Sequence, residues 1–248
     1  MSEMGAREMV DLTSGPIHAI GTGIFLSPET FARAAQWGWA NPFAFYFAGR
    51  GGVLGSVDPS VVCAAMGYFN PGMVAGLYAE GIAVAGPQVA ADRMMEATAA
   101  WGRDHLDGVA GLGTFVDLAD RLVDGVDGAG LTLFAGWRAQ PRVDDAPGRA
   151  AQLIQILREW RGAVHLVATT AAGLTPLEAI LTNEGAGQAK FFGWPEPFPA
   201  VDALADRQAG AGAVTDDLCT RDVERLLTPG GRSEFAAVVG EAAAAGQP

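Results

Sequence analysis

One local pattern recurs along the chain, a helix-capping residue followed directly by proline. It occurs at Ser27-Pro28, Asp58-Pro59, Asn70-Pro71 and Thr175-Pro176. The capping side chains accept hydrogen bonds from the free N–H groups of a first helical turn. Proline suits the first helical position because an N–H there would have no intrahelical partner. These repeated start signals predict an array of helices.

The composition supports a mostly α fold. Alanine, the best helix former, is abundant, and alternating strand patterns are nearly absent through residue 190. The 248 residues suit one large or two small domains. Helices are predicted near residues 4–20, 28–38, 42–49, 59–69, 71–80, 87–106, 113–124, 147–172, 176–184, 199–208, 220–227 and 232–244.

A proline-rich stretch suggests where the chain divides. Residues 190–199 contain three prolines, which a helix interior does not tolerate. We therefore expect a multi-helix N-terminal domain over residues 1–190 and a small C-terminal domain over residues 191–248. Within the latter, residues 209–214 are predicted to form a loop, and residues 227–231 a turn that could carry a short wing.

Charge and cysteine content narrow the class of protein. The net charge of −12 gives no general electrostatic attraction for nucleic acid, so a nucleic-acid partner is not expected. The two cysteines, Cys63 and Cys219, belong to no paired motif, which suits a reducing cytoplasm. No apolar run is long enough for a membrane span, so no membrane partner is expected either.

The segment 158–165 places charged groups in an otherwise apolar helix. At about 100° per residue, an apolar stripe forms from Leu153, Leu157, Trp160, Val164 and Ala168. Arg158, Arg161 and His165 lie along one flank of that stripe. Burying such groups without partners costs several kcal/mol. An acidic group, a metal or a ligand is therefore expected to meet this flank.

Two further residues have both structural and functional interpretations. His18 is flanked by apolar residues, and is either a core histidine or a ligand or general base. Arg50 follows an aromatic helix. It either neutralises the C-terminal end of that helix or clamps a carboxylate or phosphate in an apolar pocket.

Aromatic and methionine residues are dense between residues 25 and 95, and many of them are expected to form core. They could also line an adaptable apolar cavity. Such a cavity predicts a small, largely apolar ligand whose anionic group is clamped by Arg50 or Arg161. The ligand-binding candidates are Glu29, Tyr46, Asn70, Trp160 and Arg161. The catalytic candidates are His18, Arg50 and His165, with a histidine as general acid or base.

Metal binding is an open alternative. His18, His165 and Glu178 would supply nitrogen and oxygen ligands suited to zinc or iron, or the two histidines could bind haem. No H-E-x-x-H, C-x-x-C or G-x-S-x-G motif supports a metal site or a serine nucleophile. The sequence identifies no cofactor.

Six segments together resemble one family. They are Pro16–His18, Leu26–Glu29, Phe45–Arg50, Leu54-Gly55, Tyr68–Pro71 and Leu157–His165. In order and spacing they resemble the actinobacterial helix-turn-helix-like SalK family, which is often found beside natural-product genes. The resemblance implies a helical N-terminal domain and a winged-helix-like C-terminal domain. It also places His18, Glu29, Arg50, Asn70, His165 and Glu178 on recurring positions.

The C-terminal part departs from the family pattern. Residues 208–213 and 215–217 intervene before the expected wing. Residues 194–248 contain four arginines and nine acidic residues, so this part is acidic, whereas a recognition helix should present cations to DNA. The resemblance therefore favours a packing or dimerisation module, with the apolar turn Phe191–Trp194 as a possible homodimer interface.

Three functions remain open from the sequence. The first is a small-molecule-binding protein or enzyme of specialised metabolism. The second is a ligand-responsive winged-helix transcription regulator. The third is a metal or haem protein that uses His18 and His165.

Overall fold

The structure, a computed structural model, describes residues 3–246, and all regular elements in that range are helices. The predicted mostly α fold is therefore confirmed. The elements are α1 (Ala6–Leu26), α2 (Pro28–Gln36), α3 (Pro42–Gly52), α4 (Pro59–Met66), α5 (Pro71–Ala85), α6 (Pro87–His105), α7 (Leu112–Gly125), α8 (Thr132–Arg138), α9 (Ala146–Ala171), α10 (Pro176–Asn183), α11 (Ala186–Phe191), a 3-10 turn (Asp202–Leu204), α12 (Ala205–Leu226) and α13 (Pro229–Ala245).

The cap–proline pattern marks real helix starts. All four predicted caps, at Ser27, Asp58, Asn70 and Thr175, accept hydrogen bonds from backbone N–H groups of the first turn. The same device begins α3 at Asn41. Because the side chain and the proline act locally, these boundaries follow from the sequence alone.

The C-terminal region corrects two predictions. Thr228 accepts a hydrogen bond from Gly231 N, and Pro229 begins α13. The expected wing at 227–231 is therefore a further cap–proline start. The predicted loop at 209–214 lies inside the 22-residue helix α12, whose Ala211 and Cys219 are buried. Tertiary packing of this helix outweighs the low helix propensity of its glycines.

Three further helices differ from the prediction, the short helices α8 and α11 and the long helix α1. Helices α8 and α11, which have seven and six residues, are not predicted from the sequence. Such lengths are too short for a 3.6-residue repeat to be recognised. Helix α1 continues through Pro16 to Leu26, rather than ending near residue 20 as predicted.

Helix α9 is the central element. It spans 26 residues and packs against α1, α6, α7, α8 and α12. The last two helices also pack on this arrangement, α13 against α1 and α7, and α12 against α9 and α1. Their buried Cys219, Val223 and Phe235 share one hydrophobic core with the N-terminal helices. The domain division at residue 190 stays a prediction.

The helices can be compared with the length and apolar composition that a membrane span requires. In residues 3–246, no single helix is long and apolar enough to cross a membrane. Helices α9 and α10 meet the length and composition criteria only when taken together, and they are bent by 107° at their junction.

Helices α3 and α5 approach so closely that one position excludes a side chain. At Gly81 on α5, a Cβ atom would overlap the carbonyl oxygen of Ala44 and the methyl group of Ala48. The Gly81 carbonyl also accepts a hydrogen bond of 2.8 Å from the Trp39 indole N–H. Gly76, on the same helix, has open space around it.

We predict opposite effects of alanine at these two glycines. Gly81→Ala should lower the free energy of unfolding by about 1–3 kcal/mol, because the backbones must separate. Gly76→Ala should raise it by up to about 1 kcal/mol, through helix propensity alone. Urea denaturation followed by circular dichroism measures both values. Equal effects of the two variants would contradict the close approach of α3 and α5.

Candidate functional site

A buried ion cluster joins α3 to α9. The Arg50 Nε donates to Glu159 Oε1 at 2.8 Å, and its Nη2 donates to Glu159 Oε2 at 2.9 Å. Its Nη1 donates to the Tyr46 hydroxyl at 2.8 Å. Arg50 is therefore held at all three nitrogens, and its bidentate pairing with Glu159 is the strongest geometry available to these two groups. Only 2% of the Glu159 side chain is exposed.

A second arginine shares the same carboxylate. The Arg158 Nη1 donates to Glu159 Oε1 at 3.1 Å. Burial opposes ionisation of Glu159, but Arg50 and Arg158 outweigh it and hold the pKa of this carboxyl below its usual value. The cluster contains two guanidiniums and one carboxylate, which leaves one positive charge without a counter-charge inside it.

The excess positive charge has weak compensation on the Arg158 side. Its Nη2 donates to Thr22 Oγ1 over 3.4 Å, and its guanidinium lies 5.4 Å from the centre of the Phe25 ring. Its Nε is buried and has no hydrogen-bond partner within the described residues. Burial lowers the pKa of Arg158. Because a guanidinium does not lose its proton in proteins, Arg158 stays charged and its burial is costly.

The N-terminal helix brings a histidine to the same place. His18, Thr22 and Phe25 lie on one face of α1, at helical spacing. Gln155 of α9 donates to the Gly21 carbonyl at 2.9 Å and fixes this face against α9. His18 is exposed to solvent on one side. Partial desolvation of its imidazole, followed by the positive charges of Arg158, Arg161 and Arg50, lowers the pKa of His18 to about 4. The imidazole is therefore neutral at neutral pH.

These groups line a cavity of about 200 Å³. Its polar wall contains His18, Thr22, Arg50, Arg158 and Glu159. The rest is mainly apolar and aromatic, from Phe25, Leu26, Phe43, Tyr46, Phe47, Ala65, Met66, Tyr68, Phe69, Met73, Leu133, Gly162, Ala163, Leu166, Phe191 and Phe192. A mostly apolar cavity with a few convergent polar groups is the usual form of a small-molecule site.

The mouth of the cavity lies beside α11. Its lining residues Phe43 and Phe191 are 36% and 50% exposed, and their rings are 6.3 Å apart. Glu184 and Gln188 also line the cavity, and Glu184 is exposed to solvent. The turn after α11 is held by a hydrogen bond of 2.9 Å from Trp194 Nε1 to the Tyr68 carbonyl. His18 and Gly162, which also line the cavity, are exposed to solvent as well.

The structure separates the residues predicted from the sequence. His18, Tyr46 and Arg50 line the cavity. Asn70 caps α5 and is not among the lining residues. Glu29 lies in the first turn of α2, and Glu178 forms a capping box with Thr175 at the start of α10. Acidic side chains are favourable in a first helical turn, because they compensate the positive end of the helix and its free N–H groups, and this accounts for both positions.

The remaining candidates face another side of α9. Arg161 donates to Asp216 at 2.7 Å, and His165 Nδ1 lies 2.8 Å from Thr215 Oγ1 on α12. Burial and Arg161 lower the pKa of His165. Both residues line a polar groove between α9, α10 and α12, whereas Trp160 lines a small apolar cavity beside α1. The two histidines therefore line different cavities.

The residues considered for a metal do not come together. His18 lines the central cavity, His165 contacts α12, and Glu178 caps α10. Within residues 3–246, no group of three or more His, Cys, Asp or Glu side chains is arranged to hold a metal ion.

Sequence reasoning missed the central role of Glu159. The expected acidic partner of the arginine flank is the residue next to Arg158 in the chain, and the same carboxylate binds Arg50 from α3. The sequence does contain a signal for this role, since Glu159 is a carboxylate inside an otherwise apolar helix. Its partner, 109 residues away, is defined only by the fold.

A helix-turn-helix family model matches residues 6–245. The match covers nearly the whole chain, so the protein belongs to this helix-turn-helix family. No curated protein and no solved structure matches the chain.

We predict that Glu159→Gln is strongly destabilising. It leaves two buried guanidiniums without a counter-charge, which should lower the free energy of unfolding by about 3–5 kcal/mol. Glu241→Gln, at an exposed position on α13, is the control and should change it by less than about 0.5 kcal/mol. A small effect of Glu159→Gln in chemical denaturation would show that the cluster is not an essential part of the core.

We also predict that His18 makes stability depend on pH. Its pKa of about 4 in the folded state lies below its ordinary value of 6.5. The unfolded chain therefore binds more protons between these values, and the free energy of unfolding falls as pH falls from about 6.5 to about 4. His18→Gln should flatten this dependence, leaving the same-sign contribution of His165. NMR titration of the imidazole checks the value, and a midpoint near 6.5 would contradict it.

Proposed function

We propose that this protein binds a small, largely apolar molecule that carries an anionic group, and that the central cavity is the site. The observation that carries the proposal is the excess guanidinium at the polar wall of an otherwise apolar cavity. A buried charge is stable only when it is paired and hydrogen-bonded. An anionic ligand at Arg158 would complete the cluster.

The neutral His18 extends what this site could do. With a pKa of about 4, the imidazole is neutral at neutral pH, so its unprotonated nitrogen can accept a hydrogen bond. The site would therefore suit a binding protein. It would suit an enzyme with His18 as general base only if the bound substrate raises this pKa toward neutrality. Arg50 would act in either case by fixing Glu159, since its own nitrogens are already engaged.

We also propose a source, a cellular location and an oligomeric state for this protein. The six-segment resemblance to the SalK family supports an actinobacterial source and a place in specialised metabolism. Cys63 and Cys219 are both free thiols, which supports a cytoplasmic location. The half-exposed Phe191 beside the cavity mouth supports a homodimer interface.

The second candidate function is a ligand-responsive transcription regulator, which the family match favours. The charge of the C-terminal helices argues against it. Arg232 is the basic residue of α13, and it is buried, donating to the Glu224 carbonyl. In a gel-shift experiment with the flanking genomic DNA, a band that weakens steeply with salt would favour the regulator.

A ligand screen with two matched variants tests the main proposal. Ala65 lines the cavity, whereas its neighbour Ala64 is exposed and does not. We expect fluorinated small organic acids to bind the unaltered protein and Ala64→Phe, but not Ala65→Phe, because the new ring fills the cavity. ¹⁹F NMR measures binding directly. The corresponding neutral amides should bind at least about tenfold more weakly, because they leave the cation unpaired.

Two results would contradict the proposal. The first is that no acid binds the unaltered protein. The second is that acids bind Ala65→Phe as well as they bind Ala64→Phe, which would place them outside the cavity.

A further inference from the structure

We infer that the ligand of the central cavity is a monocarboxylate with one aromatic ring, whose carboxylate binds Arg158. This inference rests on the proposed function and narrows it to one chemical class. Three properties of the cavity support it: its volume, the arrangement of its rings, and the charge and free hydrogen-bond donors of its polar wall.

The volume limits the ligand to about one ring. The cavity measures about 200 Å³. An apolar protein cavity of about 150 Å³ binds benzene, and drug-sized ligands occupy about 300 Å³ or more. The cavity therefore suits a benzene ring with one small substituent. It is smaller than the cavities that hold drug-sized ligands.

The rings of the cavity wall form a continuous edge-to-face series. Phe25 and Tyr46 lie at 5.4 Å and 87°, Tyr46 and Phe47 at 5.1 Å and 86°, and Phe47 and Phe69 at 5.0 Å and 79°. Phe69 in turn contacts Phe192 at 4.3 Å. Aromatic rings prefer such edge-to-face partners because of their quadrupoles. A ring in the cavity can join this series, whereas a saturated ring of the same size cannot.

The polar wall matches a single negative charge. The two guanidiniums and the Glu159 carboxylate leave one positive charge, and the neutral His18 adds none. The Glu184 carboxylate also lines the cavity, but it is exposed, so solvent screens its charge. A carboxylate neutralises this charge. A phosphate monoester carries nearly two negative charges above its second pKa of about 6, and it would leave the cluster with a net negative charge.

Arg158 rather than Arg50 has donors for the ligand. Arg50 donates from all three nitrogens to Glu159 and Tyr46. Arg158 makes one bond of 3.1 Å to Glu159 and one long bond of 3.4 Å to Thr22, and it lines the cavity. Each terminal nitrogen of a guanidinium carries two N–H groups. Arg158 therefore keeps donors on both terminal nitrogens, in the fork geometry that suits a carboxylate.

Calorimetric titration of the unaltered full chain with four probes tests the class. The probes are benzoate, benzamide, cyclohexanecarboxylate and phenyl phosphate, the last at about pH 8, where it is a dianion. We expect benzoate to bind at least about tenfold more tightly than benzamide and phenyl phosphate. We expect it to bind about threefold to tenfold more tightly than cyclohexanecarboxylate, because only benzoate has a ring quadrupole.

Three variants test the role of Arg158. Arg158→Met should weaken benzoate binding at least about tenfold and remove the preference for benzoate over benzamide. Arg158→Lys restores the charge without the fork, so it should restore part of that preference. Arg149→Met is the matched control on the same helix, since Arg149 pairs with Asp120 and does not line this cavity, and it should bind benzoate as the unaltered protein does. Circular dichroism of each variant checks that the fold is kept.

The outcomes separate this inference from the proposed function. Equal or tighter binding of cyclohexanecarboxylate or phenyl phosphate would overturn the aromatic monocarboxylate and leave an apolar anion as the ligand. Equal binding of benzoate by folded Arg158→Met would overturn the role of Arg158. If benzamide binds as tightly as benzoate, or if none of the four probes binds, the proposed function fails as well.

Discussion

The structure depends on one buried carboxylate. Glu159 binds Arg50 from α3 and Arg158 from its own helix, and it is almost completely buried. An isolated charge at this depth would be too costly, so the fold provides two guanidiniums around it. This arrangement fixes the central helix against α3. It also leaves the cluster with more positive than negative charge, next to the cavity.

Helices α1 and α9 meet through small and polar groups beside the cavity. A Cβ atom at Gly21 would lie 2.5 Å from the Arg158 Cδ atom, so the glycine allows the arginine stem to pass along α1. Gln155 holds the same contact with a hydrogen bond to the Gly21 carbonyl. The charged groups thus lie at one end of the cavity. The aromatic residues of α3 and the 66–70 turn supply its apolar walls.

Local signals in the sequence identify the fold well. The cap–proline starts at residues 27, 58, 70 and 175 are correct because each depends on a hydrogen bond within a few residues. The same signal at Thr228 was interpreted as a turn, because the following glycines suggested a wing. The Gly/Ala run at 209–214 is helical because its packing is set by residues distant in the chain.

The site was only partly predictable from the sequence, because contacts between residues distant in the chain define it. The apolar flanks of His18 and the charges within α9 indicated buried polar groups. Both His18 and Arg50 line the cavity, but only Arg50 is buried, whereas His18 is exposed to solvent. Helical periodicity placed Arg158, Arg161 and His165 on one flank. The neighbouring helices divide that flank, because α1 contacts Arg158 whereas α12 contacts Arg161 and His165.

The proposed function depends most directly on an anion that binds Arg158 inside the central cavity. The measurement that tests it is a crystal structure of the protein soaked with 4-bromobenzoate, with the bromine located by anomalous scattering. We expect the bromine inside the central cavity, among the aromatic rings, and the carboxylate within hydrogen-bond distance of the Arg158 guanidinium. Bromine found only at the surface, or a carboxylate directed away from Arg158, would contradict the account.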